Sequence, residues 1–487
     1  MITLIRSEEL GEHLEREVRR RLLRRFDLAG REAAPEVMAR TAAIFGEPLT
    51  PVQAVERIVR DVAERGDAAV LEWTRRIDGV ELAPEDLWLG PTDFEKAFAS
   101  LDMATRNDLE IAAERIRRFH RVALPRPFFL QDEAGNVMGQ RYVPLESAGA
   151  YVPAGRAPLV STVLMTVIPA RVAGVDQVVV ATPPGPGGAV HPAVLAAARL
   201  AGATRVLRVG GAQAVAALAY GTESVPAVDK IVGPGNLFVT LAKRLVFGVV
   251  GIDMIAGPSE VAVVADGSPA GAEPRLLAAD LLSQAEHDPD AACVFISTNE
   301  ELAERVRLEL HLQAESLPRG SVARQALIRH GFIFVVRNLE EAAQVVNAVA
   351  PEHLELQLAE PWAFLSQVRH AGAVFLGRHS CEPLGDYLAG PNHVLPTGGA
   401  ARYASMLGVE DFLRRSSVLQ VSGEGLFEIG GAAVRLARLE GLEAHARSVA
   451  FRLEDADGAA RGLGTDALTS DRVDTGELHT GGTTVYE

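Results

Sequence analysis

Short aliphatic and β-branched runs, each closed by a Gly or Pro turn and followed by an alanine-rich stretch of helical period, recur through the middle of the chain. Residues 177–182 and 205–209 read as strands, and residues 192–201 and 213–219 as helices, the last behind the Gly210-Gly211 turn. After Gly257 the alternation resumes, with strands over 261–265, 292–298, 332–336 and 373–376 and helices over 274–286, 300–317 and 339–350. Strands that alternate with helices close as βαβ crossovers, so the pattern predicts an α/β fold built on two parallel-sheet units of similar design, as after a diverged duplication. Residues 50–122 have helical periodicity, with Pro51 at a helix start, and residues 408–452 read as mostly helical. From Asp455 to Glu487 the chain is rich in Gly, Asp and Thr with few apolar positions, and a disordered tail is expected.

Composition narrows the class. A 487-residue chain with 48% hydrophobic and 23% charged residues can bury a large core. Its net charge of -16 argues against a general nucleic-acid or anionic-membrane surface, because phosphate backbones need positive partners. The basic segment over residues 15–26 is then a solvated helix with one apolar face. Cys293 and Cys381 are too few and too far apart for a disulfide framework, which suits a reducing, cytoplasmic setting. The N-terminus carries acid where an export signal needs an apolar run. The apolar stretches over 159–175 and 245–265 are interrupted by Pro169 and Arg171, and by Asp253, Pro258 and Glu260, so neither is expected to span a membrane.

Three groups of residues could carry chemistry. Val232-Gly-Pro-Gly-Asn236 lies between a strand-like run and a helix, so its amides could face a phosphate; Phe238 stands where a dinucleotide fingerprint has its third glycine, and a plain tight turn reads equally well. Gln213, behind its glycine turn, could cap a helix or touch a ligand. Gln284 and His287 are three apart on a predicted helix, Asp386 and His393 flank a Gly/Pro loop, and His445 lies in the C-terminal helical region. Imidazole and carboxylate suit zinc, whereas unconnected surface or core histidines remain the plainer alternative. Pro351-Glu352-His353 reads as a helix start, where an ionised carboxylate beside a neutral imidazole could do acid–base work or merely cap the helix.

These signals meet in one family. The chain resembles histidinol dehydrogenase from about residue 50 to 450, most densely in Gly149-Ala-Tyr-Val-Pro-Ala-Gly155, Gly210-Gly-Ala-Gln-Ala214, Gly233-Pro-Gly-Asn236, Gly251-Ile-Asp-Met-Ile-Ala-Gly-Pro-Ser-Glu260, Leu281-Leu-Ser-Gln-Ala-Glu-His287, Pro351-Glu-His-Leu354 and Gly390-Pro-Asn-His-Val-Leu-Pro-Thr397. The resemblance implies one zinc per subunit on Gln284, His287, Asp386 and His445, and acid–base roles for Glu352 and His353. It also implies NAD contacts from Tyr151, Gln213 and Asn236, and substrate contacts from Ser259, Glu440 and His393 together with His353 and the four zinc ligands. It departs at Ala154, where the family has a second glycine beside Gly155, and in a tail longer than usual.

With that resemblance, the chain divides into an N-terminal helical arm (1–49), a catalytic α/β domain (50–150 and 260–405), an NAD-binding, incomplete Rossmann-like domain (151–259), a C-terminal helical arm (406–452) and the tail (453–487). The resemblance also implies an intertwined homodimer in which the C-terminal arm bearing Glu440 and His445 completes the partner's site. The implied reaction is the last step of histidine biosynthesis: L-histidinol to L-histidine through a bound aldehyde, reducing two NAD⁺. Oxidation of another small amino alcohol or diol on the same architecture is the alternative, against which the imidazole-handling residues Glu440 and His393 argue. A zinc hydrolase would have no use for the Tyr151, Gln213 and Asn236 loops.

Overall fold

The structure, a computed structural model, describes residues 2–23, 35–154, 158–269 and 273–462. Two six-stranded sheets organise the larger of its two compact units, residues 1–125 and 143–414. In the first sheet the strands run in the order Thr3–Arg6, Gly331–Val335, Ala292–Ser297, Glu260–Ala265, His353–Gln357 and Ala373–Leu376, all parallel. In the second the order is Trp88–Leu89, Arg205–Leu207, Gln177–Ala181, Ser147–Tyr151, Lys230–Val232 and Gly251–Ile252, with only the Trp88–Leu89 edge antiparallel. Setting aside the edge strand contributed from upstream, each sheet has the order third, second, first, fourth, fifth by its own succession. That is the doubly wound order, and its shared use in both sheets matches the duplicated design expected from the pattern.

The strands obey the rule for sheets covered on both faces. Glu260–Ala265 and Ala292–Ser297 are buried at every position, so their sequences run apolar instead of alternating. The helix Val160–Ala173, buried over most of its length, accounts for the first long apolar stretch, and no helix among the described residues is long and apolar enough to cross a membrane. The helices Pro51–Arg65, Asp67–Asp78, Pro91–Ser100 and Met103–Val122 pack onto the second sheet and its helices, through Val55, Ile58, Val62 and Trp73 in one core and Phe94, Leu109 and Ile116 in another. Residues 51–122 therefore cover the 147–252 sheet, where the sequence had grouped residues 50–150 with 260–405.

The structure corrects several expectations. The N-terminal arm is not wholly helical: Thr3–Arg6 adds a strand to the first sheet, Ile5 facing one core and Ile2 another, before the helix Leu14–Leu23 lies on Leu339–Val349. Its basic face is paired within the helix, Arg20 and Arg21 with Glu17. The C-terminal arm is not all helical: the short 3-10 turn Val409–Phe412 leads into a strand, Leu413–Gln420, which belongs to a three-stranded sheet with Val137–Pro144 and Phe128–Gln131. The helix Glu443–Gly462 runs ten residues into the segment expected as tail, continuing past Asp455 on its alanine and arginine content; residues 463–487 lie outside the described residues. The smaller unit, residues 126–142 and 415–487, holds this sheet with the helices Gly423–Leu439 and Glu443–Gly462, which turn at Gly441 in the left-handed region.

Candidate functional site

The acid–base pair sits where two neighbouring parallel strands of the first sheet begin. His353 opens its strand beside Val261, and its Nδ1 lies 3.1 Å from the Glu260 carbonyl oxygen. A carbonyl can only accept, so Nδ1 carries the proton and donates it; Nε2 keeps a lone pair, makes no hydrogen bond and lies 3.8 Å from Asp386 Oδ1. Burial pushes His353 down to about 3, leaving a neutral imidazole as expected. The cause differs from the expected one. Pro351-Glu352-His353 leads into a strand, His353–Gln357, not a helix, so the expected helix N-terminus is not the cause. Glu352 Oε2 accepts the Glu260 N–H at 2.9 Å, yet burial, with Glu260, Glu382 and Asp386 nearby, drives its carboxyl well above the usual carboxylate range. That burial favours the protonated form of Glu352, and positive charge brought into the pocket would favour its carboxylate.

Around this pair the chain collects oxygen and nitrogen donors. Gln284 occupies the last turn of Pro274–Ala285, fully buried, and its Oε1 has no hydrogen-bond partner. His287 lies just beyond the helix end, its N–H donating to the Gln284 carbonyl and its Nδ1 3.5 Å from Gln284 Nε2; burial lowers its basicity. Asp386, on the helix Glu382–Tyr387, is 3.9 Å from His393 Nδ1, and burial pushes it up to about 7. Burial also takes His393 down to about 4. Donor atoms of His353, Glu382 and Asp386 lie within 4.8 Å of one another. An orphaned amide oxygen, neutral imidazoles and repelling buried carboxyls fit a divalent cation with mixed N and O ligands. Ser259, partly buried, accepts the Ala292 N–H at 3.0 Å through its carbonyl. Glu440 and His445 belong to the smaller unit, where both are exposed.

The cofactor candidates follow the carboxyl ends of strands in the second sheet: Tyr151 ends the first strand and Asn236 follows the fourth, on either side of the point where the strand order reverses, and Gln213 follows the third. Tyr151 ends the first strand, buried, with its hydroxyl accepting the Gly211 N–H at 3.0 Å. Gln213 is buried behind it, its Nε2 donating to Asp78 at 3.3 Å while its Oε1 is unpartnered. Burial lifts Asp78 to about 6. Asn236 caps the helix Leu237–Val246 by accepting from the Phe238 and Val239 amides. Gly233, with φ +107°, lies so close to Tyr151 that a Cβ would run into the Tyr151 carbonyl. Of the loop carrying Ala154, residues 155–157 lie outside the described residues.

Sequence reasoning missed Glu260, Glu355, Glu382 and the buried Lys243–Asp253 ion pair. Glu382 and Asp386 are four apart on one helix, a spacing that could have joined them. Glu355 accepts the Glu382 N–H at 2.8 Å and would have followed from reading residues 353–357 as a strand, since positions 353 and 355 then share a face.

Comparison with known proteins bears on what this arrangement is for. The family model for histidinol dehydrogenase matches residues 49–453. A histidinol dehydrogenase from Syntrophotalea carbinolica is 50% identical over 421 residues, covering 86% of this chain and 97% of its own. One from Aquifex aeolicus is 50% identical over 403 residues, covering 83% and 92%. A crystal structure of histidinol dehydrogenase from Elizabethkingia anophelis superposes with a TM-score of 0.79 at 36% identity, covering 83% of this chain and 92% of that one. A match of this extent, in sequence and in fold, leads to one conclusion: the chain belongs to the histidinol dehydrogenase family of oxidoreductases.

Proposed function

We propose that this chain oxidises L-histidinol to L-histidine, the final step of histidine biosynthesis, in two successive hydride transfers to NAD⁺ with the aldehyde held between them. The observation that carries this reading is His353: a buried, neutral imidazole with Nδ1 committed to the Glu260 carbonyl and Nε2 open toward the Asp386 side of the pocket. Its Nε2 accepts the alcohol proton as hydride leaves for the cofactor, and accepts a proton again from the hydrated aldehyde. Glu352, 3.8 Å from His353 Nδ1, takes the proton of the water that hydrates the aldehyde once positive charge in the pocket has ionised it.

Gln284, His287 and Asp386 of one chain, with His445 of a second copy, are the proposed zinc ligands, and the unpartnered Gln284 Oε1 supports that reading. Zinc held by these residues would supply a fixed positive centre that anchors the substrate and favours the ionised form of Glu352. Ser259, His393 and Glu440 are the proposed further substrate contacts. Tyr151, Gln213 and Asn236 shape the proposed NAD crevice, supported by its position at the switch point of the second sheet.

The test is a count. Purified protein given limiting L-histidinol and excess NAD⁺ should form two NADH per substrate consumed, and chelation should abolish turnover until zinc is returned. One NADH per substrate would exclude the second oxidation, and turnover indifferent to chelation would exclude the metal.

A further inference from the structure

Lys243 and Asp253 form an ion pair at 2% and 1% side-chain exposure, remote in sequence from the acid–base residues. A buried pair is poor evidence for stability, since two charges lose their water and an apolar pair often does as well. Its neighbours suggest what it does instead. The two side chains take both backbone groups of Gly233: Lys243 Nζ donates to the Gly233 carbonyl at 2.9 Å, and Asp253 Oδ2 accepts the Gly233 N–H at 2.7 Å. Asp253 Oδ1 accepts the Met254 N–H at 2.6 Å. Gly233 begins the turn that ends in the helix-capping Asn236, and it has no room for a side chain beside Tyr151.

The same pair reaches the other half of the unit. Asp253 follows the last strand of the second sheet and starts the segment that crosses to Glu260, the residue whose N–H and carbonyl hold Glu352 and His353. Helix Leu237–Val246 is hooked to this segment again where Thr240 Oγ1 donates to the Ala256 carbonyl at 3.4 Å. Thr397 accepts the Gly257 N–H at 2.5 Å, and the Glu260 carboxylate accepts the Gly398 N–H at 2.8 Å, so the far end is tied to the loop beyond His393.

We propose that Lys243 and Asp253 are positioning residues that hold the Gly233–Asn236 turn and the crossing segment in one register, so that cofactor bound at the turn meets the Glu352–His353 pocket. The inference rests on the NAD reading above. Both side chains are buried, and each acts through the backbone it holds.

The experiment compares Asp253→Asn, which keeps the size but removes the charge, with Thr240→Val, which cuts only the second hook. Val306→Ala, a cavity in the remote helix Glu300–Ser316, is the control for lost stability alone. All are assayed as zinc-loaded full-length protein for the KM of NAD⁺, the KM of L-histidinol, zinc content and melting temperature. Asp253→Asn should raise the NAD⁺ KM roughly ten-fold with zinc content and the L-histidinol KM near wild type, and Thr240→Val should raise it less. Val306→Ala should lower the melting temperature and leave the NAD⁺ KM alone. If Asp253→Asn does not fold, Lys243→Gln, which removes the other charge of the pair and the Nζ bond to the Gly233 carbonyl, is read in its place by the same criteria. An NAD⁺ KM unchanged in both variants, or raised equally in the control, overturns the inference; wild-type protein that shows no NAD⁺-dependent turnover overturns the NAD reading instead.

Discussion

At the scale of single residues, Glu260 sets the roles of its two neighbours. Its carbonyl fixes the tautomer of His353 and its N–H holds one oxygen of Glu352, so the backbone of one residue aligns both members of the proposed acid–base pair without using its own side chain. Glu352→Gln retains an oxygen to accept that N–H but can no longer take a proton. Because the proposed work of Glu352 is the hydration of the aldehyde, the variant should keep most of the rate measured from L-histidinol to the first NADH. It should lose on the order of a hundred-fold when the aldehyde is supplied, the usual scale of a general base. Stopped-flow traces from each substrate separate the half-reactions, and equal losses in both would remove the assignment.

At the scale of elements, three pieces of backbone crowd carboxyls together: Pro274–Ala285 brings Asp280, His353–Gln357 brings Glu355, and Glu382–Tyr387 brings Glu382 and Asp386. Burial raises all four, Glu382 to about 8 and Asp386 to about 7, with repulsion from Asp386 adding to the shift of Glu382 and from Asp280 to that of Glu355. A carboxyl raised in the folded state binds more protons folded than unfolded between its two pKa values, so unfolding free energy falls as pH rises through that interval. The metal-free protein should therefore melt at progressively lower temperature from about pH 6.5 to 8, above the range in which the buried His353 and His393, depressed from 6.5, act in the opposite direction, and zinc should narrow the difference by favouring the ionised carboxyls. Melts in chelator across that range check it; a metal-free protein that gains stability on the same ascent contradicts the burial of these groups.

The same elements explain what the sequence disclosed and what it hid. The Gln177–Ala181 and Ala292–Ser297 strands and the Pro192–Ala201 helix were legible because apolar period and terminal Gly or Pro agree with where each lies. Residues 353–357 alternate His, Leu, Glu, Leu, Gln, which is ordinary for a half-exposed strand, yet all five are buried. The polar face packs inward because it lines a site, and Pro351 fits a helix start as readily as a strand entry. Leu413–Gln420 carries arginine and serine in pairs, with no clean alternation to mark it as a strand. Beyond the three-residue spacing of Gln284 and His287, the metal-ligand set was legible only as a family likeness, since Gln284, Asp386 and His445 come from separate elements and no local spacing joins them.

At the scale of the whole molecule, the smaller unit has more apolar surface than its size warrants. Phe427, Ile429, Leu436, Leu439 and Phe451 on its two helices, and Phe128 and Leu130 on its sheet, are all about half exposed or more. Such faces on helices that also carry Glu440 and His445 support the proposal that a second copy covers them and receives these two side chains. Paired chains make that testable without a structure of the dimer. If each site takes Asp386 from one chain and His445 from the other, Asp386→Ala and His445→Ala are each inactive alone, while a heterodimer of the two contains one site with both residues intact and one with neither. Equal amounts refolded together pair at random into half heterodimers, so about a quarter of wild-type activity should return. Zinc bound per chain should recover in the same proportion, a readout that does not depend on turnover. Mixtures that stay inactive and metal-poor, with heterodimers present by mass, would mean that each chain builds its site from its own residues.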